Sequence, residues 1–371
     1  MRSARTEGDQ GLRATPVRVV IAGGGTGGHL YPGIAVAREL RRRDPAATVT
    51  FAGTARGIES SVVPREGFEL DLLRSAGLKG TSIAARIRGV LLLPLSAVDA
   101  WRIVSRRRPA LVIGVGGYSS GPVVLAAALR RIPTLLLEQN AVPGLTNRLL
   151  SRVVGGAAVT FESTLGFFGR RGFVTGNPVR PEFFVDNVQP VAHRPGVLIF
   201  GGSQGAHAIN VAMVEAAPRL AAHPGGLAIT HQTGERDVEL VRSGYERAGL
   251  DARVEPYLFT MEREIAAAEV VVCRAGATTL AELTAAGRPS ILVPLPTATD
   301  DHQRKNAEVL VRAGAAEVVE QKDLTGEVLA GRIEALLADR ERLSRMAGAA
   351  RRLARPNAAA DIVEKALELI D

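Results

Sequence analysis

One stretch governs what this chain can fold into: Val17-Arg-Val-Val-Ile-Ala-Gly-Gly-Gly-Thr-Gly-Gly-His-Leu-Tyr-Pro-Gly33. An apolar run (Val17, Val19, Val20, Ile21) gives way to a glycine cluster, then to Ala35-Val-Ala-Arg-Glu-Leu40. That order predicts a buried strand, a tight turn and a helix, the opening unit of a parallel α/β sheet. Glycine lets the turn bend sharply and lets a ligand approach the backbone with no Cβ in the way. The start of the helix offers unbonded N–H groups and partial positive charge, which suits a phosphate. The same grammar returns at Val197-Leu-Ile-Phe-Gly-Gly-Ser-Gln-Gly-Ala-His-Ala-Ile209. Two such openings, each with a histidine just beyond the glycines (His29, His207), predict two similar halves facing one cleft.

At 371 residues the chain exceeds what one core usually supports, so two domains are expected. Its 46% hydrophobic and 23% charged residues place it outside the disordered class. The single cysteine, Cys273, excludes an intrachain disulfide and suits a reducing compartment. Flanked by Val270, Val271 and Val272, it reads as a buried structural thiol and not as a nucleophile. A net charge of +8 favours anionic partners, namely a phosphorylated substrate or acidic lipid. Nucleic acid fits poorly, because aromatics are only 4% and no stacking or zinc-finger pattern is present. Residues 1–16 are polar and lack an apolar core, so a disordered tail is expected there and not a signal peptide. No window offers ~20 uncharged apolar residues, so no segment is expected to span a bilayer.

Gly23, Gly25 and Gly28 satisfy the dinucleotide pattern G-x-G-x-x-G, which alone is a weak signal. A dinucleotide fold wants an acidic residue at the end of the second strand. Here that strand, Thr48-Val-Thr-Phe-Ala-Gly53, runs into Thr54-Ala55, so the reading loses its support. Further strands are expected at 110–116, 134–140, 197–200, 227–232, 252–257, 270–273 and 290–294, the last clear one. Helices are expected over 336–354 and 358–370. The strand at 134–140 ends in Glu138, Gln139 and Asn140, and ligands bind at the carboxyl ends of parallel strands. The stretch from Val174 to Pro195 reads as the interdomain linker, dividing residues 17–180 from 181–356.

Residues 79–108 are unusual. Ile83, Ile87, Val90 to Leu93, Leu95, Val98 and Trp101 alternate with Lys79, Arg86, Arg88, Arg102 and the run Arg106-Arg107-Arg108. One reading is a pair of surface helices broken at Pro94, with the arginines as a solvated face. The other, favoured by the lone Trp and the arginine cluster, is a basic amphipathic surface that docks on an anionic membrane.

In Cys273-Arg-Ala-Gly-Ala-Thr-Thr-Leu-Ala-Glu282 a strand again turns through glycine into a helix. Thr279 and Glu282 match a capping box, the plainer local reading. The alternative is a Glu282 carboxylate accepting two ribose hydroxyls. Asp300, Asp301 and His302 could ligate an ion but have no distant partner cluster in the sequence, so no metal and no cofactor are expected. His29 and His207 are candidate bases, because the imidazole titrates near neutrality.

Six motifs then occur in one order: Gly23-Gly-Gly-Thr-Gly-Gly-His29, Gly116-Gly-Tyr-Ser-Ser-Gly-Pro122, Glu138-Gln-Asn140, Gly176-Asn-Pro-Val-Arg180, Gly201-Gly-Ser-Gln-Gly-Ala206 and Cys273 to Glu282. From about Val17 to the C-terminus the chain resembles the MurG family, N-acetylglucosaminyltransferases of bacterial peptidoglycan synthesis. Departures are the polar N-terminal extension and Leu137, where many relatives carry His.

The resemblance implies a GT-B fold, an α/β architecture of two Rossmann-like doubly wound domains facing a cleft. It also implies that helix 357–371 crosses back to the first domain. It implies an inverting hexosyltransferase that uses UDP-N-acetylglucosamine and a lipid-linked muramoyl-pentapeptide. The enzyme would work at the cytoplasmic face of the cell membrane, beside other cell-wall synthesis proteins. By matching motif, Ser203 and Gln204 would meet the diphosphate with Arg180 nearby. The main chain at Leu258 would hold uracil. Within Ala277, Thr278, Thr279, Leu280, Ala281 and Glu282, the last would hold the ribose. Gln303 and Asn140 would contact the sugar, with Thr26, Gly27 and Gly28 closing from the first domain. Gly117, Tyr118, Ser119, Ser120 and Gly121 would cradle the acceptor's pyrophosphate, and His29 would be the catalytic base.

Overall fold

The computed structural model describes residues 16–75, 83–184, 194–202 and 205–370, with side chains at 83–90 excepted. Residues 1–15 of the expected tail, Lys79, part of the expected linker, Ser203 and Gln204 lie outside the described residues.

The first sheet is built from β1 (Arg18–Gly23), β2 (Thr48–Gly53), β3 (Glu69–Leu72), β4 (Leu111–Gly116), β5 (Thr134–Glu138), β6 (Gly156–Val159) and β7 (Gly172–Val174). Their order is β3-β2-β1-β4-β5-β6-β7 and all pairings are parallel. Six strands form the second sheet: β8 (Gly196–Phe200), β9 (Ala228–Gln232), β10 (Ala252–Glu255), β11 (Val270–Cys273), β12 (Ser290–Leu292) and β13 (Ala316–Val318). Their order is β10-β9-β8-β11-β12-β13, again parallel.

Both sheets are covered on both faces, which is why their strands read as nearly unbroken apolar runs. Along β1, Val19 and Ile21 enter one core while Val20 and Ala22 enter the other. In β8, Val197 and Ile199 face one layer and Leu198 and Phe200 the opposite one. Cys273 is fully buried with the second set, and burial pushes its thiol pKa far up, as a structural thiol requires.

The first sheet is flanked by α1 (Gly27–Arg43), α2 (Glu59–Arg65), α3 (Ile83–Arg107), α4 (Ser120–Leu129), α5 (Leu145–Leu150) and α6 (Leu165–Phe168). The second carries α7 (His207–Ala221), α8 (Val238–Ala248), α9 (Met261–Ala267), α10 (Ala277–Ala286), α11 (His302–Arg312), α12 (Gly326–Ala338) and α13 (Arg340–Leu353). The final helix, α14 (Ala358–Glu368), packs on α1 and sends Ile362, Val363 and Ala366 into the core of the first sheet.

Three sequence expectations change. Pro94 does not break a helix: α3 runs through it, because Pro94 is exposed while Ser96, Ala100, Ile103 and Val104 anchor the inner face. An exposed turn lets water meet the carbonyl that proline's missing N–H leaves unbonded. The 336–354 segment divides at Asp339, whose carboxylate accepts from the Arg342 amide at 2.8 Å and caps α13. And β12 is not the last strand, since β13 adds an edge of three residues.

Candidate active site at the interdomain cleft

Both sheets direct their carboxyl ends toward the junction between the halves. After β1 the chain turns through Gly23, Gly24 and Gly25, all with positive φ, into Thr26, the N-cap of α1. Gly27, Gly28 and His29 form the first turn of that helix. His29 Nδ1 lies 3.2 Å from Gln139 Oε1, and Gln139 Nε2 donates to the Val115 carbonyl at 3.1 Å. That second bond fixes which end of the amide is the acceptor, so His29 donates through Nδ1. In the neutral ring Nε2 then carries a lone pair, the state a base needs. A side chain at Gly116 would reach within 2.9 Å of His29 Nδ1, so only glycine leaves room for the ring.

Across the junction, α10 presents Thr278 to α1. Its hydroxyl donates to the Gly28 carbonyl at 3.1 Å and lies 3.3 Å from Asn177 Nδ2. Asn306, fully buried, accepts from the Ala141 amide at 2.7 Å and donates to Asn140 Oδ1 at 3.2 Å. Arg148 bridges to Asp300 at 2.8 Å. Among the expected site residues, Thr26, Gly27, Gly28, His29, Asn140, Thr278 and Glu282 thus gather at one junction.

Glu282 is not part of a capping box. The N-cap of α10 is Gly276, which places Thr279 inside the helix. Burial pushes the Glu282 carboxyl up to about 7; the Arg180 guanidinium opposes this and the Glu262 carboxylate adds to it. Arg180 itself pairs with Glu262 at 3.3 Å and lies over the Phe183 ring. Tyr31, one turn after Gly27, faces the same region: burial raises its phenol, Tyr257 and Glu282 raise it further, and Arg180 opposes them.

Other expected residues make contacts within the fold. Leu258 and Leu280 are buried in the core of the second half, and Ala277 and Ala281 line a cavity of about 390 Å³ behind α10 with Asn177 and Arg355. Gln303 Oε1 accepts from the Leu295 amide at 2.9 Å. Gly117 has positive φ, and a side chain there would come within 2.8 Å of the Gly24 carbonyl, so the two first-half glycine turns touch. Tyr118 is exposed, while Ser119 and Ser120 are buried, the Ser120 hydroxyl lying beside Gly114. His207 is solvent-exposed and meets Asp237 at 3.0 Å. Among the described residues no three His, Cys, Asp or Glu group to hold a metal ion.

Sequence reasoning missed Glu59, Tyr31 and Asn306. Asn306 joins residues 165 positions apart, which no local pattern announces. Glu59 had one signal, an acid closely following Gly53 and Gly57.

Residues 19–159 match the glycosyltransferase family 28 N-terminal domain, and residues 196–365 match the glycosyltransferase family 28 C-terminal domain. A UDP-N-acetylglucosamine--N-acetylmuramyl-(pentapeptide) pyrophosphoryl-undecaprenol N-acetylglucosamine transferase from Anaeromyxobacter sp. (strain K) is 52% identical over 357 residues, covering 95% of this chain and 93% of the relative. The chain belongs to glycosyltransferase family 28. A transferase of the same name from Myxococcus xanthus is 47% identical over 95% of this family 28 chain and 93% of its own length. The crystal structure of Acinetobacter baumannii MurG matches with a TM-score of 0.78 at 33% identity, covering 95% of this chain and all of that one. The chain is therefore a glycosyltransferase of GT-B fold. A Neisseria meningitidis UDP-GlcNAc 2-epimerase, 16% identical with a TM-score of 0.67, shares the fold alone.

Proposed function

We propose that this protein transfers N-acetylglucosamine from UDP-N-acetylglucosamine to the 4-hydroxyl of undecaprenyl-pyrophosphoryl-N-acetylmuramoyl-pentapeptide, converting lipid I to lipid II with inversion. The names and identities of the family 28 relatives support the substrates. The observation that carries the chemistry is His29, with Nδ1 tied to Gln139 and Nε2 left to accept a proton.

Residues 181–356 form the donor domain, and 17–180 with helix 357–371 form the acceptor domain. Uracil rests on the main chain at Leu258, Glu282 takes the ribose hydroxyls, and Ser203 and Gln204 meet the diphosphate. Asn140 and Gln303 contact the sugar, Thr26, Gly27 and Gly28 close over it, and the turn Gly117–Gly121 receives the acceptor pyrophosphate. His29 Nε2 removes the proton as the acceptor oxygen attacks the anomeric carbon and UDP departs. The start of α7 and Arg180 stabilise the leaving diphosphate, which needs no metal in this scheme.

An undecaprenyl chain leaves the bilayer at a cost of ~0.8 kcal/mol per CH₂, so the enzyme goes to the membrane. On α3, Leu91 is 70% and Trp101 49% exposed, and Leu129 on neighbouring α4 is 70% exposed. Arg130 stands 5.3 Å over the Trp101 ring. Arg106 and Arg107 pair with Asp71, so they contribute less to headgroup binding than Arg102 and Arg130. Among the described residues no helix is long and apolar enough to cross a membrane. We place the protein peripherally, on the cytoplasmic face, beside other cell-wall enzymes.

UDP release from UDP-N-acetylglucosamine with a short-chain lipid I analogue tests the reading. Acceptor-dependent release is expected. Failure to release UDP, or sugar epimerisation without acceptor, overturns it.

A further inference from the structure

Glu59 opens α2 and is 0% exposed. Its Oε1 accepts from the Thr54 amide and hydroxyl, both at 2.9 Å, and its Oε2 accepts from the Gly25 amide at 2.8 Å. Three glycines wall the side chain: a Cβ at Gly24 or Gly57 would reach within 2.6 or 2.0 Å of its carboxylate, and one at Gly53 within 2.6 Å of its Cγ. A buried carboxylate is costly unless its oxygens are bonded, and bonds from N–H to a charged acceptor are the strong ones. The arrangement therefore grips whatever donates to it.

What it grips is the turn that sets the active site. Gly24 and Gly25 have φ values of 145° and 85°, and the chain continues directly into Thr26, Gly28 and His29. Gly28 supplies the carbonyl that meets Thr278 of the other half, and His29 supplies the base. Glycine-rich backbone is the freest in the chain and holds no geometry unaided. From this we infer that Glu59 is a positioning residue: its buried carboxylate locks the Gly24–Gly25 backbone so that His29 and the Gly28 carbonyl are correctly placed for transfer. This rests on the transferase reading above.

Glu59→Gln keeps the shape but turns an amide NH₂ toward either the Gly25 or the Thr54 N–H, so one grip is lost. Gly57→Ala changes neither Glu59 nor the residues of the glycine turn, yet its methyl would lie 2.0 Å from Glu59 Oε2 and displaces the carboxylate. A misplacement of about 1 Å costs on the order of 10²-fold in rate. Both variants should lose about that much kcat in the UDP-release assay, while UDP affinity by calorimetry stays within about two-fold of wild type. Hydrogen exchange of the peptide spanning residues 23–30 should accelerate in both. A folded variant, by thermal melt, that keeps wild-type kcat and wild-type exchange overturns the inference. So does a loss of UDP affinity matching the loss of kcat, which marks a general structural role. If Glu59→Gln does not fold, Gly57→Ala decides by the same readouts. Wild-type protein that releases no UDP overturns the transferase reading instead, and the exchange of residues 23–30 then decides Glu59 alone.

Discussion

Glu282 should make donor affinity and protein stability move in opposite directions with pH. Its carboxyl titrates near 7 in the free protein against an ordinary value of 4.5, chiefly because it is buried. If the ionised form accepts the ribose hydroxyls, donor affinity follows the ionised fraction. That fraction rises from about one tenth at about pH 6 to about nine tenths at about pH 8, so affinity should rise about ten-fold, or about 1.4 kcal/mol. Stability runs the other way. A carboxyl with a raised native pKa holds its proton more tightly folded than unfolded. Its contribution is complete below 4.5 and is lost as pH rises through about 7. Over the same interval the apo protein should lose about 1.4 kcal/mol from this group. Calorimetric titration with UDP and urea melts, each at both pH values, measure the two. Glu282→Gln should flatten both dependences and weaken UDP binding at the higher pH. A donor affinity that is independent of pH, or a Glu282→Gln variant that binds UDP like wild type while only its melting temperature shifts, refutes the ribose assignment.

His29→Ala should lower kcat by ~10²–10⁴-fold with UDP affinity unchanged, and equal losses in both would remove the base assignment. Asn306→Ala deletes bonds to Ala141 and Asn140 across the junction and should cost ~1–3 kcal/mol in a denaturant melt, whereas an unchanged midpoint would show the junction is held elsewhere. Leu91→Ser/Leu93→Ser/Trp101→Ser should abolish sedimentation with anionic vesicles while the protein stays folded, and wild-type binding, itself weakened by salt, would mean that another face docks.

Strong local signals were legible. The runs that form β1, β5, β8 and β11 are apolar on both faces and β2 alternates threonine with apolar residues, and each gives way to glycine or polar groups at its carboxyl end. β3, β6, β7 and β13 were not: Glu69, Asp71 and Glu317 interrupt the apolar runs of β3 and β13, β7 is Gly172-Phe-Val174, and Gly156–Val159 is too small and short to stand out from a helix. Among the site residues, Gln139 was flagged by its place at the end of β5, but its task of fixing the His29 ring depends on Val115, 24 positions away. Glu138, flagged beside it, is buried and accepts from Asn140, Gly144 and Asn147, so it holds the loop after β5 in place. The error over Thr279 has a similar origin: a capping box is defined by four residues, and Gly276 upstream of them already supplied the cap.

The two glycine turns share a sequence grammar but not a hydrogen-bonding state, and this argues which half takes the diphosphate. In the first half the Gly25 amide is already committed to a buried carboxylate, and the His29 amide turns back to the Thr26 carbonyl. An anion arriving there meets Glu59 charge a few ångströms behind the backbone. At the described ends of the second turn, Gln232 donates to the Gly202 carbonyl at 2.8 Å, and a side chain at Gly205 would strike the Thr233 carbonyl. Behind them, burial pushes His231 down to about 3, so it remains neutral while bonded to Tyr245 and Asn210. The Asp237 carboxylate stands at the start of α7, but it is bonded by side chains of that helix, His207 at 3.0 Å and Asn210 at 2.8 Å. Glu59 thus takes an amide of its own turn, whereas the bonds to Asp237 come from helix side chains, and this difference supports the proposal that the donor diphosphate goes to the second half while the first holds the base.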